Sequence, residues 1–313
     1  MTRLSTEDML PVKRAGELEV KTPEQRFLVE SLWLDDSVGI IGGFPKSGKT
    51  WAGLDLAISV ASGSPCLGHF PVGRRGPTMV YLAEDALPMV RERLLALCTQ
   101  RGIRLEDLDL HVITAPRLRL DVLADQARLR RTLQHYQPRL LLLDPFVRLH
   151  SRDENQSQEV TPLLDYLREL QRTLSLSIVL VHHMRKNGSS SQQGQALRGS
   201  GDIHAWLDCA WYITHEKGRL KLTVEHRSAP APEPFHLKLV TTHSPHLKLV
   251  DAPAPEEPSL EERVHEVLSG ETVPLTRTQL RQRIRVNNAR LGEALKALTQ
   301  QGRIRRTETG YVL

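Results

Sequence analysis

One short glycine-containing segment constrains the fold of this chain more than any other feature of its sequence. It fits the pattern GxxxxGK[ST] and consists of Gly43, Phe44, Pro45, Lys46, Ser47, Gly48, Lys49 and Thr50. In such a segment successive backbone N–H groups curl around phosphate oxygens, and the helix that follows adds its positive N-terminal end. The segment lies between an apolar run, residues 37–42, and a helical stretch. The sequence predicts a phosphate-binding loop, with an accidental glycine-rich turn as the alternative.

Two carboxylates that follow predicted strands extend this site. In a phosphate-binding loop Lys49 reaches the β and γ phosphates of ATP, and the Thr50 hydroxyl holds Mg²⁺. Asp144 ends a strand of four leucines, where an acid orients Mg²⁺; a solvated strand-end acid is the alternative. Glu84 follows another strand and is predicted to polarise the attacking water; it is otherwise a helix cap, as Asp85 also is.

Apolar runs alternate with helical stretches over most of the chain. The predicted strands cover residues 37–42, 78–82, 110–113, 140–144 and 177–181, and the predicted helices cover about 49–62, 87–101, 122–136 and 159–173. Apolar strands separated by helices are typical of a parallel sheet with both faces covered. Three later runs, residues 209–213, 220–224 and 235–239, predict antiparallel strands that close the sheet. The sequence predicts an α/β fold with a mostly parallel sheet.

Polar residues after the core strands are further candidates for the site. His182 and His183 are neighbours in a strand and point to opposite faces, so one is expected to sense the γ phosphate; the alternative is two packed histidines. Arg198 and Arg227 are candidates for an arginine that reaches a neighbouring subunit, or are ordinary surface charges. A Gly/Ser-rich polar segment, residues 185–195, follows the fifth strand at the edge where α/β sheets place ligands.

The distribution of charge predicts a second, smaller domain. Three prolines and three acids at residues 251–258 predict a stiff linker. The 56 residues after Glu257 hold ten basic and six acidic residues, so they carry +4 of the whole chain's +5. This asymmetry predicts a polyanion as the partner of the C-terminal part. The predicted organisation is an extension (1–26), an ATPase domain (27–250), the linker and a small domain (259–313).

The C-terminal pattern of three helices followed by two short strands resembles a winged helix. Its third helix would enter the major groove of DNA and the wing would meet phosphates. The predicted contacts are Asn287, Asn288, Arg290, Lys296, Arg303, Arg305 and Arg306. A winged helix that binds protein is the alternative.

Several classes of protein are excluded by composition. No apolar run approaches the roughly 20 residues that span a bilayer, and the first residues have no apolar signal region. Three cysteines without metal-ligand spacing argue against a disulfide framework and a zinc site. We therefore expect a cytoplasmic protein with no membrane partner.

Five segments together make the chain similar to RecA-type ATPases, in the group that contains the plasmid helicase RepA and the DnaB helicases. They are residues 43–50, 81–85, 142–145, 181–183 and 195–200, within a resembling region of about 27–240. The resemblance implies a ring, expected to be a homo-hexamer, in which ATP hydrolysis at subunit interfaces drives pore loops along single-stranded DNA.

The resemblance also implies roles for individual residues. Glu84 would be the catalytic base, His183 the sensor and Arg198 the arginine that acts in trans. Arg227 resembles the finger of the DnaB-like Lys-x-Arg pattern, although Glu225 stands where that pattern has lysine. Arg185 and Lys186, which begin the polar segment, are the expected pore-loop contacts with DNA.

The sequence therefore predicts a DNA-associated, ring-forming ATPase, a helicase of plasmid or mobile-element replication. An ATP-dependent DNA-binding regulator or recombination factor without unwinding activity is the alternative. A small-molecule phosphotransferase is a third possibility, against which the basic C-terminal part argues, since such an enzyme needs no DNA module.

Overall fold

The chain is described by a computed structural model that covers residues 10–22, 24–184, 201–252, 259–271 and 273–313. It divides into two compact units, residues 1–252 and 253–313. Arg185, Lys186 and Arg198, which the sequence singles out, lie outside the described residues. Among the residues that are described, no helix combines the length and the apolar character needed to cross a membrane.

The first unit is built from strands and helices that alternate along the chain. Its strands are β1 (Phe27–Val29), β2 (Trp33–Leu34), β3 (Val38–Gly43), β4 (Thr78–Leu82), β5 (Leu110–Val112), β6 (Leu140–Asp144), β7 (Ser177–His183), β8 (Cys209–Glu216), β9 (Arg219–His226), β10 (Phe235–Val240) and β11 (His246–Val250). Its helices are α1 (Lys49–Ser62), α2 (Leu87–Arg101), α3 (Leu123–Tyr136), α4 (Ser157–Leu174) and α5 (Gly201–Trp206).

Nine of these strands form one sheet in the order β11-β10-β9-β8-β3-β7-β6-β4-β5. Strands β3 to β7 are all parallel to their neighbours, as the apolar runs predict. The prediction for the strand near Cys209 was wrong in direction, because β8 runs parallel to β3 and only β9 to β11 turn antiparallel. The error is physical, since an apolar run has the same composition in either direction. The pairing places β3 between β7 and β8, at the centre of the sheet.

Alternation along the central strands divides the apolar side chains between two cores. Leu140 and Leu142 of β6 pack on one side of the sheet, with α1 and α2. Leu141 and Leu143 pack on the other side, with α3, α4 and α5. This arrangement explains why β6 reads as four consecutive leucines, because a strand buried on both faces needs no polar positions.

The second unit has helices α6 (Leu260–Ser269), α7 (Arg277–Ile284) and α8 (Asn288–Gln300), then the short strands β12 (Arg305–Arg306) and β13 (Tyr311–Val312). Each helix begins after a residue whose side chain accepts a backbone N–H of the first turn: Ser259, Thr276 and Asn287. The helices enclose a core of aliphatic side chains that includes Leu280 and Leu295. Leu275 forms a bridge with Tyr311, which ties the chain before α7 to the last strand.

Candidate nucleotide site

The glycine-containing loop turns at the end of β3, and α1 begins at Lys49. Gly48 has φ +82°, in the left-handed region that favours glycine. A Cβ on Gly43 would lie 2.5 Å from Ser47 Oγ and 2.7 Å from the Ile213 carbonyl oxygen, so no side chain fits there. The local fold therefore depends on both glycines of the pattern, and it aims the start of α1 at the space beyond β3.

Lys49 is buried beneath this loop. Its Nζ donates a hydrogen bond of 2.8 Å to the Phe44 carbonyl oxygen. Burial lowers the pKa of Lys49, and the carboxylates of Asp144 and Glu84 oppose that shift. An ammonium that burial destabilises gains from an anionic ligand, because a second negative group restores its charged form.

Asp144 lies at the end of β6, only 6 % exposed. Burial raises its pKa to about 6; a hydrogen bond with Thr50 opposes the shift, while the charge of Asp85 adds to it. Within the described chain, Asp144 Oδ2 and Ser47 Oγ are buried and have no hydrogen-bond partner. A buried carboxylate oxygen without a partner, beside a threonine hydroxyl, is the donor set that suits Mg²⁺. The residues present therefore fit this ion.

These groups line one cavity of about 390 Å³. Its walls come from the loop, from the ends of β4, β6 and β7, and from β10. The lining residues are Pro45, Lys46, Ser47, Gly48, Lys49, Thr50, Trp51, Glu84, Arg93, Asp144, Pro145, His183 and Leu239. The structure brings together six of the loop residues with Glu84, Asp144 and His183, all at the carboxyl edge of the parallel strands.

Glu84 is held at the cavity by an arginine that the sequence analysis missed. Arg148 Nε donates to Glu84 Oε1 at 2.6 Å, with both side chains about half exposed. Arg148 ends a short 3-10 helix, Phe146–Arg148, that directly follows β6. Its position four residues after the strand-end Asp144 was the available signal, because residues after parallel strands gather at one edge.

Three further residues of the cavity were not foreseen. Trp51 follows Thr50 and lies beneath Arg93, whose guanidinium carbon is 5.7 Å from the Trp51 ring centroid. Arg93 also donates to Asp85 Oδ2 at 2.6 Å, so Asp85 binds a side chain of α2. Leu239 enters from β10, and no local pattern indicates which strand reaches the loop.

The two histidines of β7 separate as predicted for neighbours in a strand. His183 lines the cavity, whereas His182 is 2 % exposed and faces the other core. His182 Nδ1 lies 3.8 Å from Glu154 Oε1, and His150 Nε2 lies 3.6 Å from the same oxygen. His182 thus belongs to a buried cluster behind the cavity, and only His183 has access to a ligand.

Arg227 lies at the opposite edge of the sheet from the cavity. It follows β9, whose His226 pairs with Cys209, and Cys209 pairs with Gly39 near the start of β3. The length of β3, roughly 16 Å, therefore separates Arg227 from the loop. Its guanidinium donates to the Ala205 carbonyl oxygen and lies 3.6 Å from Asp208 Oδ1. It takes no part in the cavity of its own chain.

The predicted DNA contacts of the second unit are all exposed. They are Asn287, Asn288, Arg290, Lys296, Arg303, Arg305 and Arg306. Asn287 has a structural task as well, since its Oδ1 accepts the Arg290 backbone N–H at 2.9 Å. Only its amide nitrogen remains for a ligand. The other six side chains extend into solvent from α8 and the hairpin, where a ligand is able to reach them.

Comparison with known proteins agrees with the geometry of the first unit. A solved ATPase domain, that of a helicase, superposes with a TM-score of 0.52 at 12 % identity, over 71 % of this chain and 87 % of that one. The RadB recombinase superposes with a TM-score of 0.49 at 15 % identity, over 70 % of this chain and 92 % of that one. No curated protein matches the sequence. At such low identity the first likeness shows the fold alone.

The fold and its phosphate-binding loop define a RecA-like P-loop ATPase with a mostly parallel sheet. The AAA domain family matches residues 4–189, more than half of the sequence, and the chain belongs to that family. P-loop ATPases bind a nucleotide, usually with Mg²⁺.

Proposed function

We propose that the chain is an ATP-driven motor on DNA, a ring-forming helicase of plasmid or mobile-element replication that acts on single strands in the cytoplasm. One observation carries the ATP-hydrolysing part of this proposal. Lys49, Thr50, Asp144, Glu84 and His183 come from four separate segments, yet they line one cavity. A solely structural role for the loop would not require this convergence of charged groups.

The side chains of the cavity divide the work of phosphoryl transfer. Lys49 and the backbone N–H groups of residues 43–50 hold the phosphates, and Thr50 and Asp144 hold Mg²⁺, which neutralises charge between phosphate oxygens. Glu84 orients the attacking water and accepts its proton. His183 contacts the γ phosphate. Arg148 keeps the Glu84 carboxylate at the cavity mouth until a water occupies that position.

The position of Arg227 supports assembly into a ring. Its guanidinium is a full strand length from its own phosphate-binding loop, so it is able to act only on a nucleotide held by another copy. Arg198 is proposed for the same task in trans, and Arg185 and Lys186 for contacts of the pore with single-stranded DNA. A hexamer is the proposed assembly.

The second unit supports the association with DNA. Three helices and a terminal hairpin are the elements of a winged helix, and its exposed cations lie on α8 and the hairpin. We propose that α8 enters the major groove and that Arg303, Arg305 and Arg306 contact phosphates.

The proposal is tested by hydrolysis with and without DNA. Lys49→Ala removes the ammonium from the phosphates, so we expect turnover to fall at least about 1,000-fold, the size of effect assigned to a charge that stabilises the transferring phosphate. Lys13→Ala, a remote exposed lysine, is the matched control and should keep full activity. Retained hydrolysis in Lys49→Ala would refute the phosphate-loop assignment.

A second measurement separates a helicase from a regulator. Single-stranded DNA should stimulate hydrolysis by the wild-type chain, and the chain should displace a strand from a forked duplex. Stimulated hydrolysis without displacement would favour the regulator or recombination factor instead. Electron micrographs with ATP and single-stranded DNA should contain closed rings.

A further inference from the structure

The antiparallel part of the sheet, strands β8 to β11, has two chemically different faces. One face carries the leucines of β9, β10 and β11, and it packs into the core that surrounds α1. Leu220, Leu237 and Leu247 are buried there. The residues between them point to the other face, because successive side chains of a strand alternate. That second face is polar and includes the exposed Lys238 and Lys248.

Three cations of this polar face lie side by side on neighbouring strands. Lys238 of β10 is directly opposite Lys248 of β11. Leu237 is opposite Leu220, so the same register continued by one residue places Arg219 of β9 beside Lys238. Adjacent strands are about 4.8 Å apart, so the row Arg219–Lys238–Lys248 spans roughly 10 Å. We call these three residues the basic row.

The basic row carries a local energetic cost within the chain. Like charges that face each other on adjacent strands are destabilising, and Lys238 and Lys248 are both exposed. Glu216, the nearest acid on β8, is already bound to Lys221 at 3.3 Å and to His236 at 2.5 Å. Arg219 donates to the backbone carbonyl of Asp251 rather than to its carboxylate. Positive charge therefore exceeds negative charge at this surface.

The surface is also concave. Lys217, Arg219, Lys238, Lys248 and Asp251 line a depression of about 760 Å³ that is open to solvent. Four cations and one carboxylate surround it. Its width suits a chain of anionic groups better than a single ion, because the cations are spread across three strands and not gathered around one point.

We propose that the basic row binds the phosphate backbone of single-stranded DNA, as a second nucleic-acid surface on the ATPase unit. The inference rests on the proposed function, in that it assigns a further contact to the same DNA. Three exposed cations in a row neutralise successive phosphates without reading bases, so the contact is sequence-independent. Bound phosphates also relieve the repulsion between Lys238 and Lys248.

Strand β10 joins this surface to the nucleotide cavity. Lys238 faces the basic row, and the next residue, Leu239, lines the cavity beside the phosphate-binding loop. A shift of β10 that accompanies DNA binding would therefore be felt at the nucleotide. DNA held by the basic row is expected to change the rate of ATP hydrolysis as well as to add affinity.

The test is the double variant Lys238→Gln/Lys248→Gln in the full chain, with a labelled 30-residue oligo-dT as the probe. Each lost phosphate contact on single strands lowers the slope of log K against log salt by about 0.7, so we expect a slope shallower by about 1.4. The dissociation constant should rise about tenfold at low salt. The variant Lys238→Arg/Lys248→Arg should retain the wild-type affinity and slope, because both charges remain.

The matched control is Arg131→Gln/Arg172→Gln, which removes two exposed cations from α3 and α4 and should leave the slope unchanged. If the glutamine variant loses its fold, Lys248→Gln alone, on the edge strand, provides the same test with a slope change of about 0.7.

Three outcomes would overturn the inference. Wild-type affinity and slope in the glutamine variant, while the wild-type chain binds DNA, remove the basic row and leave the proposed function intact. A changed sedimentation coefficient with unchanged DNA affinity would mean that the row contacts another copy of the chain. Absence of DNA binding by the wild-type chain would remove both the inference and the proposed DNA motor.

Discussion

The nucleotide edge of the first unit and the helices of the second unit treat their polar groups in opposite ways. At the nucleotide edge, Asp144 Oδ2 and Ser47 Oγ are buried, and neither has a hydrogen-bond partner in the described chain. In the second unit, Thr276 and Asn287 satisfy the backbone N–H groups at the starts of their helices. The cations of that unit project into solvent.

This difference separates two kinds of ligand binding. A buried polar group without a partner costs free energy until a ligand of the right shape supplies one, so binding at the nucleotide edge depends on short-range fit. Exposed cations cost little and attract a polyanion over a Debye length, so binding to the second unit depends on salt. Each of the following variants tests one side of this contrast.

The largest effect is expected at Asp144. Its pKa of about 6 in the folded chain lies above the ordinary 3.8, so protonation favours the folded state. That stability is complete below pH 3.8 and is lost as the pH rises through 6. At pH 8 the buried charge should cost on the order of 3 kcal/mol. Asp144→Asn should therefore raise the free energy of unfolding at pH 8, measured in urea with EDTA present, and abolish hydrolysis.

A second buried aspartate of the same unit is the matched control. Asp55 binds Arg101 at 2.6 Å, and its Oδ1 accepts the Leu67 backbone N–H at 2.7 Å. Asp55→Asn leaves the guanidinium without its charge partner and should lower the free energy of unfolding by about 3 kcal/mol. If both asparagine variants destabilise the chain alike, Asp144 is not a strained site and the contrast fails.

The second unit should respond through salt. Replacing Arg303, Arg305 and Arg306 by glutamine removes three exposed cations of the hairpin. The slope of log K against log salt for a short duplex should become shallower by about 2.7, because each phosphate contact contributes about 0.9. Hydrolysis without DNA should not change. An unaltered slope, with Arg91, Arg131 and Arg172 replaced as the control, would contradict the winged-helix assignment.

The smallest effect is expected at a helix cap. Thr276 Oγ1 accepts the Gln279 backbone N–H, and Gln279 reaches back to the Thr276 N–H at 2.8 Å. Thr276→Ala should lower the free energy of unfolding by about 1 kcal/mol, and Thr276→Ser should restore it. Thermal unfolding measures both. A loss far above this value would mean that Thr276 does more than cap α7.

Much of this architecture was accessible from local sequence. The four leucines before Asp144 predicted a strand buried on both faces, and Thr276 and Asn287 were correct as helix caps. Each of these signals lies within a few residues of the feature it predicts. The placement of Lys49 at the start of α1 followed from the loop pattern for the same reason.

Contacts between distant segments were not accessible in this way. The pairing of Glu84 with Arg148 joins residues 64 positions apart. Leu239 reaches the cavity because β10 is brought beside β9 by sheet pairing, which composition does not encode. The short strand β11 was missed as well, since its polar Lys248 faces solvent and interrupts the apolar run.

The location of Arg227 has a consequence for how activity depends on the amount of protein. When the arginine that completes a reaction centre belongs to a different molecule, each copy serves as an activator of its neighbour. Specific activity should then climb with concentration and collapse on dilution. A mixture of Arg227→Ala chains with Lys49→Ala chains should recover turnover that neither has by itself.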